Sequence, residues 1–156
     1  SYAHPGVKFP VEVPTHVVGT LKFRSGATAS TIMSFDVWAS ETPHIEIYGT
    51  KGTISVPDPN TFSGPVRVKI GSSEWTEVPM EFAEGGRGLG VAEMAFAIQH
   101  GMPSRIDASL ANHVLDVMIA LQDSSDSATH IDLTTTCIRP EPFPTGMSEG
   151  EVFPKA

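Results

Sequence analysis

The sequence contains little cysteine and few basic side chains. Its 156 residues include one cysteine, Cys137, so no disulfide can form within the chain. Only 10 residues are Lys or Arg, against 18 Asp and Glu, and the formal net charge is −8. Nucleic acids and anionic membrane surfaces bind basic patches, and here the basic residues are scattered. The composition therefore predicts neither of them as a partner.

The sequence also has no long apolar run. It does not begin with charged residues followed by an apolar stretch. We therefore expect no membrane span and no secretory signal. The single cysteine suits a reducing compartment, so the predicted location is cytoplasmic. The hydrophobic fraction of 40% suits one compact domain. The chain starts at Ser1 rather than Met, which fits a processed or excised piece of a protein.

Alternating apolar and polar residues predict about six antiparallel strands in residues 11–80. In "THVVGTLKFR" the side chains of Val17, Leu21 and Phe23 point one way and those of His16 and Lys22 the other. A short "SGA" turn leads back into "TASTIMSFDVW", which predicts a hairpin. "PHIEIYG" with "TISVPDP" and "VRVKIG" with "EWTEVPM" predict two further strand pairs, and the proline-rich "PDPNTFSGP" between them is interpreted as a loop.

Helical spacing replaces this alternation after Gly85. "GVAEMAFAIQHG" predicts a helix that ends at Gly101, and "DASLANHVLDVMIALQDSSDSA" predicts a longer helix capped by Asp107 or Ser109. "HIDLTTT" is interpreted as a final strand. The predicted boundaries are an irregular segment over residues 1–10, a domain over 11–137 and a proline-rich arm over 138–156.

This order predicts an α+β fold, with an open, mainly antiparallel sheet and two helices packed on one face. The other sheet face would be free to meet solvent or another protein surface. We place ten small, polar or amphipathic residues on this free face: His16, Thr20, Lys22, Thr28, Ser30, Ser34, Asp36, His44, Glu46 and Tyr48.

The stretch "EFAEGGRGLGVAEMAFAIQHG" has the glycine density of a phosphate-binding loop but not the spacing. Counting five residues from Gly86 reaches Val91, where a dinucleotide fingerprint has glycine. No Gly-Lys-Ser or Gly-Lys-Thr follows, as a P-loop requires. The glycines are therefore interpreted as a structural passage from sheet to helix. Arg87, within this stretch, could bind an anion or anchor the loop.

Metal and acid–base chemistry receive little support from the residue pattern. The six histidines show no H-x-x-x-H spacing and no cysteine pair accompanies them, so no metal site is predicted. Asp36 and Glu46 form the acidic pair with the most plausible geometry, on one face of adjacent predicted strands. Solvated charges remain the favoured interpretation of this pair, because nothing positions a substrate between them.

Several segments together resemble the C-terminal domain of Gfo/Idh/MocA-type NAD(P)-dependent oxidoreductases. They are "VPTHVVGTLKFRSGA", "SFDVWA", "IEIYGTKGTISVPDPNTFSGPV", "RGLGVAEMAFAI" and "HVLDVMIALQDSS", and they occur in the family's order. The resemblance covers about residues 11–142. It implies the open-sheet fold type of the glyceraldehyde-3-phosphate dehydrogenase C-terminal domain, with one wall of a substrate site for a sugar or polyol and a sheet face that mediates oligomers.

The resemblance also implies what another part of such a protein supplies. The family's N-terminal Rossmann domain carries the NAD or NADP site and the catalytic lysine, and neither motif occurs here. Residues 1–10 hold no match to the family's Asp and His pair, so no catalytic residue, cofactor site or metal ligand is assigned. The chain alone is expected to be inactive, with the Rossmann domain and further copies of itself as partners.

Two alternatives stay open beside this interpretation: a module that binds a sugar-like ligand without chemistry, and a pure assembly protein. Both would use the free sheet face. The candidate substrate-binding or interface residues are the same in every case: His16, Lys22, Asp36, Trp38, His44, Glu46, Tyr48 and Arg87.

Overall fold

A computed structural model of the chain describes Gly6 and residues 10–62, 64–80 and 86–143. Most of the predicted N-terminal segment, and the arm beyond residue 143, lie outside these residues. The strands are β1 (His16–Lys22), β2 (Thr28–Ser34), β3 (Ile45–Tyr48), β4 (Gly52–Val56), β5 (Val66–Ile70) and β6 (Thr76–Val78). The helices are α1 (Leu89–His100) and α2 (Ala108–Ser127), and Pro59–Thr61 forms one 3-10 turn.

The chain divides into two compact units. Residues 1–40 and 114–135 form the first, called the hairpin unit, and residues 41–113 and 136–156 form the second, called the four-stranded unit. Helix α2 begins in the four-stranded unit and continues in the hairpin unit. Each unit contains its own antiparallel sheet.

The hairpin unit is built on the antiparallel pair β1–β2, whose register runs from His16 opposite Ser34 to Lys22 opposite Thr28. Gly26 has a φ of +88°, a left-handed conformation that glycine adopts without strain and that the tight turn requires. The backbone N–H of Phe23 donates to the Ala27 carbonyl at 2.9 Å, which closes the turn. The predicted hairpin is confirmed.

One face of this hairpin approaches helix α2 at Gly19. Val17, Gly19 and Leu21 alternate with exposed neighbours and are half-buried. A Cβ added at Gly19 would lie 2.4 Å from the Leu121 Cδ2, so β1 and α2 approach closely here. The opposite face is exposed along β1. We call this the polar hairpin face; it comprises His16, Val18, Thr20, Lys22, Thr28, Ser30, Ile32 and Ser34.

The four-stranded unit contains a sheet in the order β3-β4-β5-β6, antiparallel throughout. Its register separates polar from apolar side chains, because directly opposed residues share a face. The polar face comprises Glu46, Tyr48, Thr53, Ser55, Arg67, Lys69 and Glu77. The other face, called the apolar face, also holds Gly52 and the polar Thr76; its apolar members are Ile45, Ile47, Ile54, Val56, Val66, Val68, Ile70 and Val78.

Both predicted helices are present, with the caps that the sequence suggests. The Asp107 Oδ1 accepts the backbone N–H of Leu110 at 2.9 Å and the Ser109 hydroxyl at 2.7 Å, and these bonds lower the pKa of Asp107, the Leu110 bond most. Gly101 ends α1 in the left-handed conformation, and the next N–H, of Met102, donates to the Ala97 carbonyl at 2.8 Å. Within the described ranges, neither helix is long and apolar enough to cross a membrane.

The α+β class is confirmed, but the strands are arranged differently from the prediction. They form a two-stranded and a four-stranded sheet instead of one continuous sheet of six or seven strands. Residues 130–136, "HIDLTTT", form no strand, because alternation provides a suitable sequence but a strand also needs a ladder partner. The proline loop, predicted to lack any element, contains the 3-10 turn, where the Asp58 carboxylate accepts the Asn60 N–H at 2.9 Å.

Candidate functional site

The eight predicted site residues fall into the two units. The hairpin unit contains His16, Lys22, Asp36 and Trp38; the four-stranded unit contains His44, Glu46, Tyr48 and Arg87. The ten residues predicted to share one sheet face are divided in the same way, because β2 and β3 belong to different sheets. Asp36 lies beyond the end of β2, and Glu46 is on β3. The premise that this acidic pair stands on adjacent strands was therefore wrong.

At the open end of the hairpin, hydrogen bonds fix the start of the loop after β2. The Thr15 hydroxyl donates to the Asp36 Oδ2 at 2.6 Å, and the Phe35 backbone N–H donates to the Thr15 carbonyl at 2.8 Å. The Ser34 hydroxyl accepts the Asp36 backbone N–H at 3.1 Å and lies 2.9 Å from the His16 Nδ1. The Asp36 carboxylate is thus held in place at an exposed position, where it can accept hydrogen bonds from a ligand.

Large aromatic side chains flank this carboxylate in the sequence. Trp38 is 100% exposed and Phe35 is 93% exposed. Aromatic side chains so exposed are typical of surfaces that meet another molecule. The role of Trp38 as a contact residue stays a prediction.

The polar hairpin face combines hydrogen-bonding groups with an apolar centre. Val18 and Ile32 are directly opposed and are 60% and 62% exposed. Hydroxyl groups, His16 at one end and Lys22 at the other surround this pair. An apolar centre with a polar rim is the usual anatomy of a protein–protein contact.

In the four-stranded unit, His44 and Tyr48 each face an acidic neighbour. The His44 Nε2 lies 3.7 Å from the Asp58 Oδ2, and the Tyr48 hydroxyl donates to the Glu46 Oε2. That hydrogen bond, with the charge of Glu46, raises the pKa of Tyr48. The Tyr48 hydroxyl thus keeps its proton and remains a donor rather than a base.

Arg87 connects the loop after β4 to the start of α1. Its Nη2 donates to the Asn60 Oδ1 at 2.6 Å, and its guanidinium carbon lies 5.5 Å from the centre of the Phe62 ring. Of the two interpretations left open by the sequence, these contacts support loop anchoring. Anion binding by Arg87 stays a prediction.

The described residues at the start of α1 lack the setting of a dinucleotide fingerprint. Gly88 is the N-cap and provides no side-chain cap, while β6, the last described strand before α1, belongs to an antiparallel sheet. A dinucleotide fingerprint needs a strand–helix–strand unit of parallel strands as well as the glycine spacing, and neither is found in residues 64–80 and 86–143. In the described ranges, no three His, Cys, Asp or Glu side chains come together as metal ligands.

A buried charged cluster in the four-stranded unit contains none of the predicted site residues. Glu93, on α1, is 3% exposed. Its carboxylate accepts the Ser104 hydroxyl at 2.6 Å and the Arg105 backbone N–H at 2.9 Å, and it pairs with the Arg105 Nη1 at 3.3 Å. The available signal was a glutamate inside the apolar run "GVAEMAFAI".

The contacts of Glu93 determine its charge. Burial alone would raise the pKa of this carboxyl, but the bonds from Ser104 and Arg105 and the charge of Arg105 outweigh burial and lower the pKa. A carboxylate with its oxygens occupied in this way is a structural anchor and a poor general base.

The described residues have an α+β architecture, and one protein family matches part of the sequence. Residues 1–55 match the sequence model of the GFO/IDH/MocA C-terminal domain. This match confirms the resemblance predicted from the sequence, over a segment that includes β1, β2 and β3. Searches of curated proteins and of solved structures found no match.

Proposed function

We propose that this chain is the C-terminal substrate-binding and oligomerisation domain of an NAD(P)-dependent oxidoreductase that acts on a sugar or polyol-like substrate. The observation that carries the proposal is the match of residues 1–55 to the C-terminal domain model of that family. In this proposal an N-terminal Rossmann domain of the parent protein supplies NAD or NADP. The chain alone holds no cofactor and does not catalyse the reaction.

The glycine segment before α1, residues 86–90, supports the assignment of cofactor binding to a separate Rossmann domain. Hydride transfer needs a bound nicotinamide positioned against the substrate. The residues from Gly86 to Gly90 lack the spacing and the structural setting that bind a dinucleotide. Calorimetric titration of the chain with NADH and NADPH tests this part of the proposal, and we expect no heat of binding.

A polyol substrate suits the side chains at the ends of the hairpin. Hydroxyl groups are recognised by directional donors and acceptors, and the fixed Asp36 carboxylate is such an acceptor. Trp38 provides an exposed ring for the apolar side of a sugar. We propose that Asp36 and Trp38 contact the substrate in the hairpin unit. In the four-stranded unit, considered by itself, His44, Glu46, Tyr48 and Arg87 are the proposed contact residues.

The polar hairpin face is the proposed site of oligomerisation. Its apolar centre, Val18 opposite Ile32, would be buried by a second copy of the chain, and the hydroxyl rim and Lys22 would form hydrogen bonds around it. A two-fold axis through this face would place the same residues against each other in both copies.

Light scattering tests the proposed assembly. We expect a homodimer at micromolar concentration and at least about tenfold weaker association for Ile32→Lys, because a charge would be buried at the centre of the contact. Ser25→Lys adds the same charge at the hairpin turn, outside the face, and should leave the dimer intact. A monomeric native chain, or equal association of both variants, would contradict this assignment.

A second candidate function is a non-catalytic module that binds a ligand or assembles through the same surface. The observation that favours it is the near-complete exposure of Phe35 and Trp38, since such side chains serve recognition without any chemistry. Binding of a polyol to the chain, with no turnover after a nucleotide-binding domain is restored, would favour this candidate over the oxidoreductase.

A further inference from the structure

The Arg105 side chain connects helix α1 to the C-terminal segment. The Arg105 guanidinium carbon lies 4.6 Å from the centre of the Phe143 ring. Both residues belong to the four-stranded unit, Arg105 in the connection between α1 and α2 and Phe143 at the end of the described residues. A guanidinium at this distance over an aromatic ring makes a cation–π contact.

Glu93 fixes the position of this guanidinium. The carboxylate binds both the backbone N–H of Arg105, at 2.9 Å, and its Nη1, at 3.3 Å. The Arg105 side chain is only 15% exposed, and the Glu93 side chain is only 4% exposed. Because Glu93 is held on α1 and Ser104 donates to it as well, the planar face of Arg105 is presented to Phe143 with little freedom to move.

The segment that carries Phe143 has no regular backbone structure of its own. Residues 136–143 form neither helix nor strand, and Pro140 and Pro142 lack the N–H that a ladder would need. Ile138 is 89% exposed, so the apolar side chain in the middle of the segment does not anchor it. Cys137 and Pro140 are half-buried, and the Arg105–Phe143 contact gives the segment a buried, fixed partner.

We propose that Glu93, Arg105 and Phe143 form a latch that holds the C-terminal segment 136–143 on the four-stranded unit. Glu93 positions the guanidinium, and the guanidinium face holds the Phe143 ring. Release of the latch frees residues 136–143 while α1 stays folded. This inference does not depend on the proposed enzymatic role of the parent protein.

The rate at which Cys137 of the intact chain reacts with a thiol reagent tests the latch, because this single cysteine lies in the segment and is half-buried. Phe143→Leu removes the ring and leaves the Glu93–Arg105 pair intact, and Arg105→Lys keeps the charge but loses the planar face. In both variants we expect Cys137 to react about five- to thirtyfold faster, the range that a partly buried cation–π contact accounts for. Hydrogen exchange of the α1 amides should be unchanged in Phe143→Leu.

Arg67→Lys is the matched control, because the Arg67 guanidinium carbon also lies over an aromatic ring, 5.8 Å from the centre of Trp75. This variant should leave the rate of the Cys137 reaction unchanged. If Arg105→Lys fails to fold, Phe143→Leu decides alone. An unchanged Cys137 rate in Phe143→Leu would overturn the proposal, and so would an equal acceleration in Arg67→Lys.

Discussion

Replacing Gly52 with alanine will destabilise the four-stranded sheet by about 3 kcal/mol. A Cβ at this position would lie 2.2 Å from the Lys69 carbonyl oxygen and 3.1 Å from the Ile70 Cα. Both atoms belong to the backbone of β5, so the clash cannot be relieved by turning a side chain. Gly52 also exchanges backbone hydrogen bonds with Gly49 in the β3–β4 turn, at 2.8 and 3.3 Å, which limits movement of β4.

Urea unfolding followed by circular dichroism measures this effect, with Gly90→Ala as the control. A Cβ at Gly90 meets no atom within 4 Å, and Gly90 lies in α1. The same substitution there should stabilise the chain by about 0.5–1 kcal/mol, because alanine favours helix. If the free energy of unfolding of Gly52→Ala lies within about 0.5 kcal/mol of the native value, the close pairing of β4 with β5 is contradicted.

The second large effect is expected for Arg105→Met, at about 3–5 kcal/mol of lost stability near neutral pH. The methionine fills much of the same space but leaves the Glu93 carboxylate buried without its charge partner. The matched control is Arg67→Met, in which an arginine on the exposed end of a cation–π pair is replaced in the same way. Arg67→Met should lose several-fold less stability than Arg105→Met, since no buried charge is left unpaired.

The pH dependence of Arg105→Met distinguishes charge from packing. In the native chain the pKa of Glu93 is lowered, so its contribution to stability is present above the carboxyl pKa of the unfolded chain and is lost as pH falls through the lower folded pKa. In the variant, the charge and side-chain bond of Arg105 no longer oppose the effect of burial on the pKa of Glu93. Glu93 therefore takes up a proton more readily. The loss of unfolding free energy in Arg105→Met, relative to the native chain, should therefore be smaller at about pH 4, near the ordinary carboxyl pKa, than at about pH 7. Urea unfolding at both pH values measures it. A deficit that is equal at both pH values would indicate lost packing alone.

The local elements could be predicted from the sequence, because their signals are local. The alternation around Val17 and the glycine at Gly26 are sufficient for the β1–β2 hairpin. Gly101 marks the end of α1, and Asp107 marks the start of α2. What alternation cannot show is which strands become neighbours. Residues 130–136 have a suitable pattern, but a ladder partner depends on the distant parts of the fold.

The same limit applies to the candidate site. Exposure of His16 and Lys22 follows from strand period, and the structure places both on the polar hairpin face. The Glu93–Arg105 pair spans 12 residues across the connection from α1, a separation with no fixed periodicity. Periodicity predicts on which face of its own helix or strand a residue lies. Contacts between elements can be identified only in the folded structure.

Isothermal calorimetry of the intact chain with NADH and NADPH tests whether the chain binds the cofactor by itself. In the proposed function, this domain contributes substrate and assembly surfaces and a Rossmann domain binds the cofactor. We predict no saturable heat with either nucleotide, for the native chain and for Gly88→Ala alike, because the glycines before α1 serve the chain's own turn. Saturable binding that Gly88→Ala abolishes would contradict the account and would identify residues 86–90 as a nucleotide site.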